Sequence, residues 1–142
     1  MNYTRKYFIN SISKSLSILE IGPFYKPNCI GDNVEYFDIL DRDALIKRAT
    51  EINSSINIDQ IPYINYVSEN GDLSIIDKKF DALFSSHAIE HQLDLIDHFQ
   101  KASKLLNKGG KYYMIIPDKR YCFDYFNKES RGAFKIVALK KG

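Results

Sequence analysis

Ser17–Pro27, SILEIGPFYKP, is the stretch whose reading decides the fold. Ile18, Leu19 and Ile21 make an apolar run, Glu20 interrupts it near its end, and Gly22 and Pro23 stop it. A hydrophobic strand that ends in an acid and a glycine turn is how an open α/β sheet begins a nucleotide or cofactor site. Glycine lets the backbone turn sharply and approach a ligand closely.

On the N-terminal side, Tyr3, Tyr7, Phe8, Ile12 and Leu16 recur at spacings near three and four, which predicts a short amphipathic helix within residues 2–15. On the other side, Pro23, Pro27, Asn28, Gly31 and Asp32 mark residues 23–33 as a loop. Most nucleotide-binding βα units place a long helix there, and this segment leaves little room for one. VEYFDIL, 34–40, reads as the second strand. DRDALIKRA, 41–49, places aspartates first and Lys47 and Arg48 last, the charge order of a short helix. INYVS, 64–68, is a third short strand and ENGDL, 69–73, a turn. FDALFSS, 80–86, is apolar enough for a central strand covered on both faces. From 87 to 110, Ile89, Leu93, Ile96, Phe99, Ala102, Leu105 and Leu106 share a helical face, with Gly109–Gly110 as the stop. KYYMIIP, 111–117, is the fifth strand, residues 118–127 an aromatic, charged loop, and 129–140 a last helix.

The expectation is an α/β fold with a Rossmann-like, mostly parallel sheet of about five strands and flanking helices. In such sheets ligands bind at the carboxyl ends of the strands. Glu20, Gly22, Pro23, Asp38, Glu69, Asn70, Ser85, Ser86, His87, Asp118 and Arg120 all fall at those ends and converge on one crevice.

The bulk composition agrees. The 142 residues, 44% hydrophobic and 27% charged, suit one soluble domain spanning 1–142. Twenty basic and 18 acidic side chains leave a net charge of +2 without a basic block, so charge does not point to nucleic acid. Cys29 and Cys122 lie far apart, which argues against a disulfide framework or a cysteine zinc site. No apolar run reaches the roughly 20 residues of a membrane span, and the N-terminus is too polar for a signal-peptide core. A cytoplasmic location is the expectation.

The ordered set SILEIGP, VEYFD, ENGDL, FDALFSSHAIEH and LLNKGGKYYMIIPD, covering about residues 16–120, resembles the class I S-adenosylmethionine-dependent methyltransferases. EIGP combined with PDKRYCFD is similar to bacterial members linked to cell-surface glycan synthesis. The resemblance implies S-adenosyl-L-methionine as cofactor and methyl transfer to a small-molecule or glycan-type acceptor. It also implies that Glu20, Gly22 and Pro23 face the methionine part, that Asp38 binds the ribose hydroxyls, and that Glu69 and Asn70 lie at the adenine. Ser85 and Ser86 would pass the methionine and sulfonium. Asp41 competes with Asp38 but is better placed to cap the following helix. Each acid also has a plain structural reading: Glu20 as a turn cap, Asp38 as a strand-end acid, Glu69 as a solvated loop residue.

His87 would lie beside the methyl group as a base toward a sugar hydroxyl. Asp118, Arg120 and Tyr121 would shape the acceptor side. Two departures from the family pattern stand out. Phe24 and Lys26 occupy positions where relatives often carry glycine. The residues after Pro117 also leave no room for the family's final antiparallel hairpin, so the domain is expected to be truncated at its C-terminus, with an open sheet edge covered by a second copy or a partner chain. One alternative is therefore a non-catalytic methyltransferase-like domain acting through a partner. Another is a zinc hydrolase, because His87–His91, HAIEH, matches H-x-x-E-H; the strand preceding it argues for the methyltransferase and for no metal.

Overall fold

A computed structural model describes residues 4–118. Five strands form one sheet: β1 (Ile18–Ile21), β2 (Val34–Asp38), β3 (Tyr66–Val67), β4 (Phe80–Ser86) and β5 (Leu106–Ile115). Their order is β3-β2-β1-β4-β5 and every pairing is parallel. The Rossmann-like α/β expectation holds, with the sheet wholly rather than mostly parallel among the described residues. The chain order reverses between β1 and β4, which places the ligand crevice of such a sheet at their carboxyl ends.

Strand alternation splits the core in two. Leu19, Ile21 and Leu83 join Leu73, Ile76 and Ala102 on one face. Ile18, Ala82 and Phe84 join Ile12 and Cys29 on the other. Helix α1 (Arg5–Asn10) covers the second face with Phe8 and Ile9, and is shorter than the 2–15 pattern suggests. Thr4 caps its start, Ser11 ends it, and Ile12 is buried just beyond it. Helix α2 (Arg42–Ile52) follows β2, with the Asp41 carboxylate accepting from the Ala44 amide at 2.8 Å. The capping role expected of Asp41 is therefore the one it plays.

No helix joins β1 to β2, as the sequence anticipates. The loop that replaces it is tied to the sheet through Glu20. The Glu20 carboxylate, 1% exposed, accepts from the Asn28 amide at 2.9 and 3.0 Å, the Asn28 side-chain amide at 2.8 Å and the Cys29 amide at 2.8 Å. The Tyr36 hydroxyl donates to the Cys29 carbonyl at 2.7 Å from the neighbouring strand. Burial raises the Glu20 carboxyl above its ordinary value, against the pull of these donors.

The helix expected over 87–110 is the main correction. Only α3 (Leu95–Lys104) is α-helical, with Asp94 as its N-cap, preceded by a 3-10 turn at Ile89–His91. Asp94 accepts from the Asp97 amide at 2.9 Å and so sets a later start than the apolar spacing suggests. Leu93 is fully exposed, Ile96 and Phe99 are also exposed, and α3 turns His98 and Ala102 inward instead. Lys101 bridges Asp97 on α3 to Asp72 at 2.7 and 2.9 Å, fixing the helix to the turn after β3.

Leu105, not the glycine pair, caps α3, and β5 begins at Leu106 rather than at Lys111. Gly109 and Gly110 fall where the β4–β5 register shifts. A Cβ on Gly110 would stand 2.9 Å from the Asn107 carbonyl oxygen and 3.0 Å from that of Asp81, so only glycine fits. The loop expected over 118–127, the helix expected over 129–140 and the expected C-terminal truncation lie outside the described residues, apart from Asp118.

Two stability predictions follow from these buried groups. Replacing Glu20 by Gln turns one acceptor oxygen into an amide donor facing the Asn28 and Cys29 donors. Glu20→Gln should cost about 1–3 kcal/mol, read from urea unfolding, and an unchanged midpoint would refute the anchoring role. His98 is buried with its Nδ1 unpartnered and its Nε2 3.1 Å from the Tyr112 hydroxyl; burial lowers its folded value below the ordinary 6.5. Its contribution to stability is present above that value and is lost as pH falls through the lowered folded value. The raised carboxyls of Glu20 and Asp38 act oppositely: their contributions are present at low pH and lost as pH rises. The unfolding midpoint of His98→Leu should therefore fall less than that of the parent between about pH 7.5 and about pH 5.5, and parallel curves would overturn the assignment.

Candidate functional site

Two adjoining cavities open at the carboxyl ends of β1, β2 and β4, and both are lined by Gly22, Phe24 and His87. The first, about 260 Å³, lies over β2 and is lined further by Asp38, Leu40, Arg48, Gly71 and Gln92. The second, about 620 Å³, lies toward α1 and takes in Arg5, Pro23, Tyr25, Lys26, Asn28 and Ser86.

Gly22 is required by its backbone and by its neighbours. Its φ is 70°, in the left-handed region, and a Cβ there would meet the Ala88 Cβ at 3.2 Å. Its amide donates to the Phe37 carbonyl at 2.8 Å, so the turn after β1 folds over the end of β2. Two residues on, Phe24 holds φ 49°. A left-handed backbone of the kind glycine favours is thus held here by phenylalanine, at a local conformational cost. The ring packs against the buried cluster of Leu45, Ala49, Ile61 and Ile64, and the Arg48 guanidinium lies 5.9 Å from its centroid. Phe24 becomes part of the cavity wall.

Asp38 ends β2 and is buried, with Oδ1 accepting from the Ile39 amide at 2.7 Å and the Leu40 amide at 3.3 Å. Burial raises its carboxyl above the ordinary 3.8; the amides of Leu40, Ile39 and Phe24 and the Arg48 charge oppose that rise. A buried carboxylate beside an apolar cavity suits a pair of neighbouring hydroxyls, which it can accept from together.

The other sequence candidates separate. Ser86 lines the second cavity, with its hydroxyl oxygen shielded from water and without a hydrogen-bond partner. Ser85 is buried and lines neither cavity; its hydroxyl meets Tyr112 on the opposite face. Glu20 also lines neither, because its oxygens serve the loop behind Gly22. In the turn after β3, Gly71 lines the first cavity, whereas Glu69 and Asn70 are exposed beside it and Asn70 accepts from the Ser68 hydroxyl at 2.6 Å. Asp118 is exposed just beyond β5. Arg120 and Tyr121 lie outside the described residues.

His87 has φ 53°, and its amide donates to the Ile115 carbonyl at 3.0 Å. Glu90 Oε1 stands 4.0 Å from His87 Nδ1 and 3.9 Å from His91 Nε2. The zinc reading needs His87 and His91 one turn apart on a helix, and that helix does not form: His87 precedes a 3-10 turn in a left-handed conformation. Among the described residues, no group of three or more His, Cys, Asp or Glu is arranged to hold a metal ion.

Sequence reasoning missed Arg48, Gly71, Ala88 and Gln92 as lining residues. Gly71, beside the acid Glu69 and the amide Asn70 already singled out, was the most findable, since a turn glycine permits close approach. Gln92 comes near only because the expected helix is broken.

Among the described residues no helix is long and apolar enough to cross a membrane. A comparison with curated proteins finds no match. A family model described as a methyltransferase domain matches residues 34–114, more than half of the chain. The parallel sheet, its crevice and this match agree with one another, and the chain belongs to the class I S-adenosylmethionine-dependent methyltransferase family.

Proposed function

We propose that this protein binds S-adenosyl-L-methionine across the two cavities and transfers its methyl group to a small-molecule or glycan-type acceptor. The observation that carries the reading is the buried Asp38 carboxylate at the end of β2, facing a cavity whose other wall is the Gly22–Phe24 turn. The residues fit the cofactor. Asp38 would hold the ribose hydroxyls, Gly71 with Glu69 and Asn70 would border the adenine, and Gly22, Pro23 and Ser86 would flank the methionine part. Ser85 and Glu20 would act from behind by fixing β4 and the loop. When bound, the cofactor supplies an electrophilic methyl carbon.

The chain's own part is positioning, exclusion of water and management of one proton. The acceptor oxygen loses a proton as it gains the methyl group. His87, exposed where the cavities adjoin, would take that proton on its imidazole, with the Glu90 carboxylate 4.0 Å away. Asp118, Arg120 and Tyr121 would line the acceptor side. The glycan assignment rests on the likeness of EIGP and PDKRYCFD to glycan-linked relatives, and a single domain acting in the cytoplasm is the accompanying reading.

Calorimetry with S-adenosylhomocysteine tests the site. The protein should bind, and Asp38→Ala should weaken binding about tenfold or more. Because the carboxylate is the accepting form and its value is raised, affinity should fall on acidification already above 3.8. Absence of binding by the parent protein would sink the enzymatic reading and leave a non-catalytic domain that works through a partner chain. His87→Ala should lower kcat by about a hundredfold or more while S-adenosylhomocysteine still binds. An unchanged turnover would dispose of the base.

A further inference from the structure

We propose that the second cavity admits an acceptor bearing an oxyanion, carboxylate or phosphate, and that Lys26 is the residue that selects it. The inference rests on the methyltransferase reading of the site and goes further by naming the acceptor's charge.

The two cavities differ in charge. The first holds the Asp38 carboxylate, balanced by Arg48. Among the described residues, the second is lined by Arg5 and Lys26 and by no carboxylate. Of its two cations, Arg5 is already committed. Its guanidinium donates to the Asn28 side-chain oxygen at 2.7 Å, and its charge acts on the buried Glu20 carboxyl behind that residue. Lys26 has no such counter-charge. Asp59 lines an adjoining cavity with it, and the two form no ion pair. An ammonium at the mouth of a concave site, unpaired among the described residues, raises the local concentration of anions and repels cations.

The donor brings a single carboxylate, and Arg5 with Asn28 forms a wall able to meet it. Among the described residues, Lys26 is then the cation left for the acceptor. A further feature of the cavity suits a polar ring. At the rim, the exposed Tyr25 ring stands edge-on to Phe24, with centroids 4.9 Å apart, and offers a flat face.

The test uses protein saturated with S-adenosylhomocysteine, titrated with glucose, glucuronate and glucose 6-phosphate while backbone amide shifts are followed by NMR. The charged sugars should bind more tightly than glucose by about fivefold or more, with the shifts centred on Tyr25, Lys26 and Ser86. Lys26→Met should erase the preference, Lys26→Arg should keep it, and both should bind S-adenosylhomocysteine as the parent does. Whichever of glucuronate and glucose 6-phosphate binds more tightly identifies the anion. Equal binding of glucose, no binding of any sugar, or a preference that survives Lys26→Met overturns the proposal. So does a loss of S-adenosylhomocysteine affinity in Lys26→Met, which would assign Lys26 to the donor. If the parent protein fails to bind S-adenosylhomocysteine, the methyltransferase reading falls and this inference falls with it. Binding without an anion preference removes this inference alone.

Discussion

The buried carboxylate of Glu20 is the constraint on which the rest of the structure depends. A parallel pair of strands needs a crossover, and a helix ordinarily supplies it while covering the sheet. Between β1 and β2 this chain has only a loop, which must cover the same apolar face without a ladder of its own hydrogen bonds. Glu20 resolves this by accepting from the backbone amides of Asn28 and Cys29, which would otherwise be buried without partners. The loop then runs close over β1, and its first residues, Gly22 to Phe24, form the shared wall of both cavities. Burying the charge is costly, as its raised carboxyl shows, and four donor contacts offset that cost.

The crevice has a second strained boundary. Phe24 and His87 are the non-glycine residues with left-handed φ among those described, and both line both cavities. Such conformations persist only where surrounding contacts hold them. For Phe24 the contacts are the packing against the cluster that includes Leu45 and Ala49 of α2; for His87, the hydrogen bond from its amide to the Ile115 carbonyl at the end of β5. The turn after β1 and the turn after β4 meet where Gly22 faces Ala88, so a side chain on Gly22 would push the two walls apart.

Much of the fold was legible because it follows local rules. The β4 range, Phe80–Ser86, matches its apolar run, and Asp41 caps α2 as its position before the helical pattern requires. The missing helix after β1 was legible from Pro23, Pro27 and Gly31. What could not be read was the outcome of competition. The spacing from Ile89 to Leu106 fits one long helix, but Asp94 nucleates a later start and the core accepts His98 rather than Leu93. At the site, Asp38, Gly22, Ser86 and His87 were named from the sequence and do line the cavities. Glu20 and Ser85 were drawn to the ligand because they sit at strand ends. Strand alternation turns Glu20 toward the loop and Ser85 toward Tyr112, a distinction that needs the faces of the sheet to be known.

The different polar groups of the two cavities are what give a ligand in this crevice a direction. An adenosine-type group carries hydroxyls and a flat apolar base, and the first cavity offers a buried carboxylate against mostly apolar walls. A methionine-type tail carries a carboxylate beside an ammonium, and in the second cavity Arg5, held by Asn28, is the cation that suits that carboxylate. Binding in the reverse sense would take the paired hydroxyls away from the buried Asp38 carboxylate, the group in the crevice suited to accept from both. The position of Glu20 reinforces the distinction. By holding Asn28 it holds Arg5 at the wall of the second cavity, so the residue that secures the loop also fixes the sign of the field beside it.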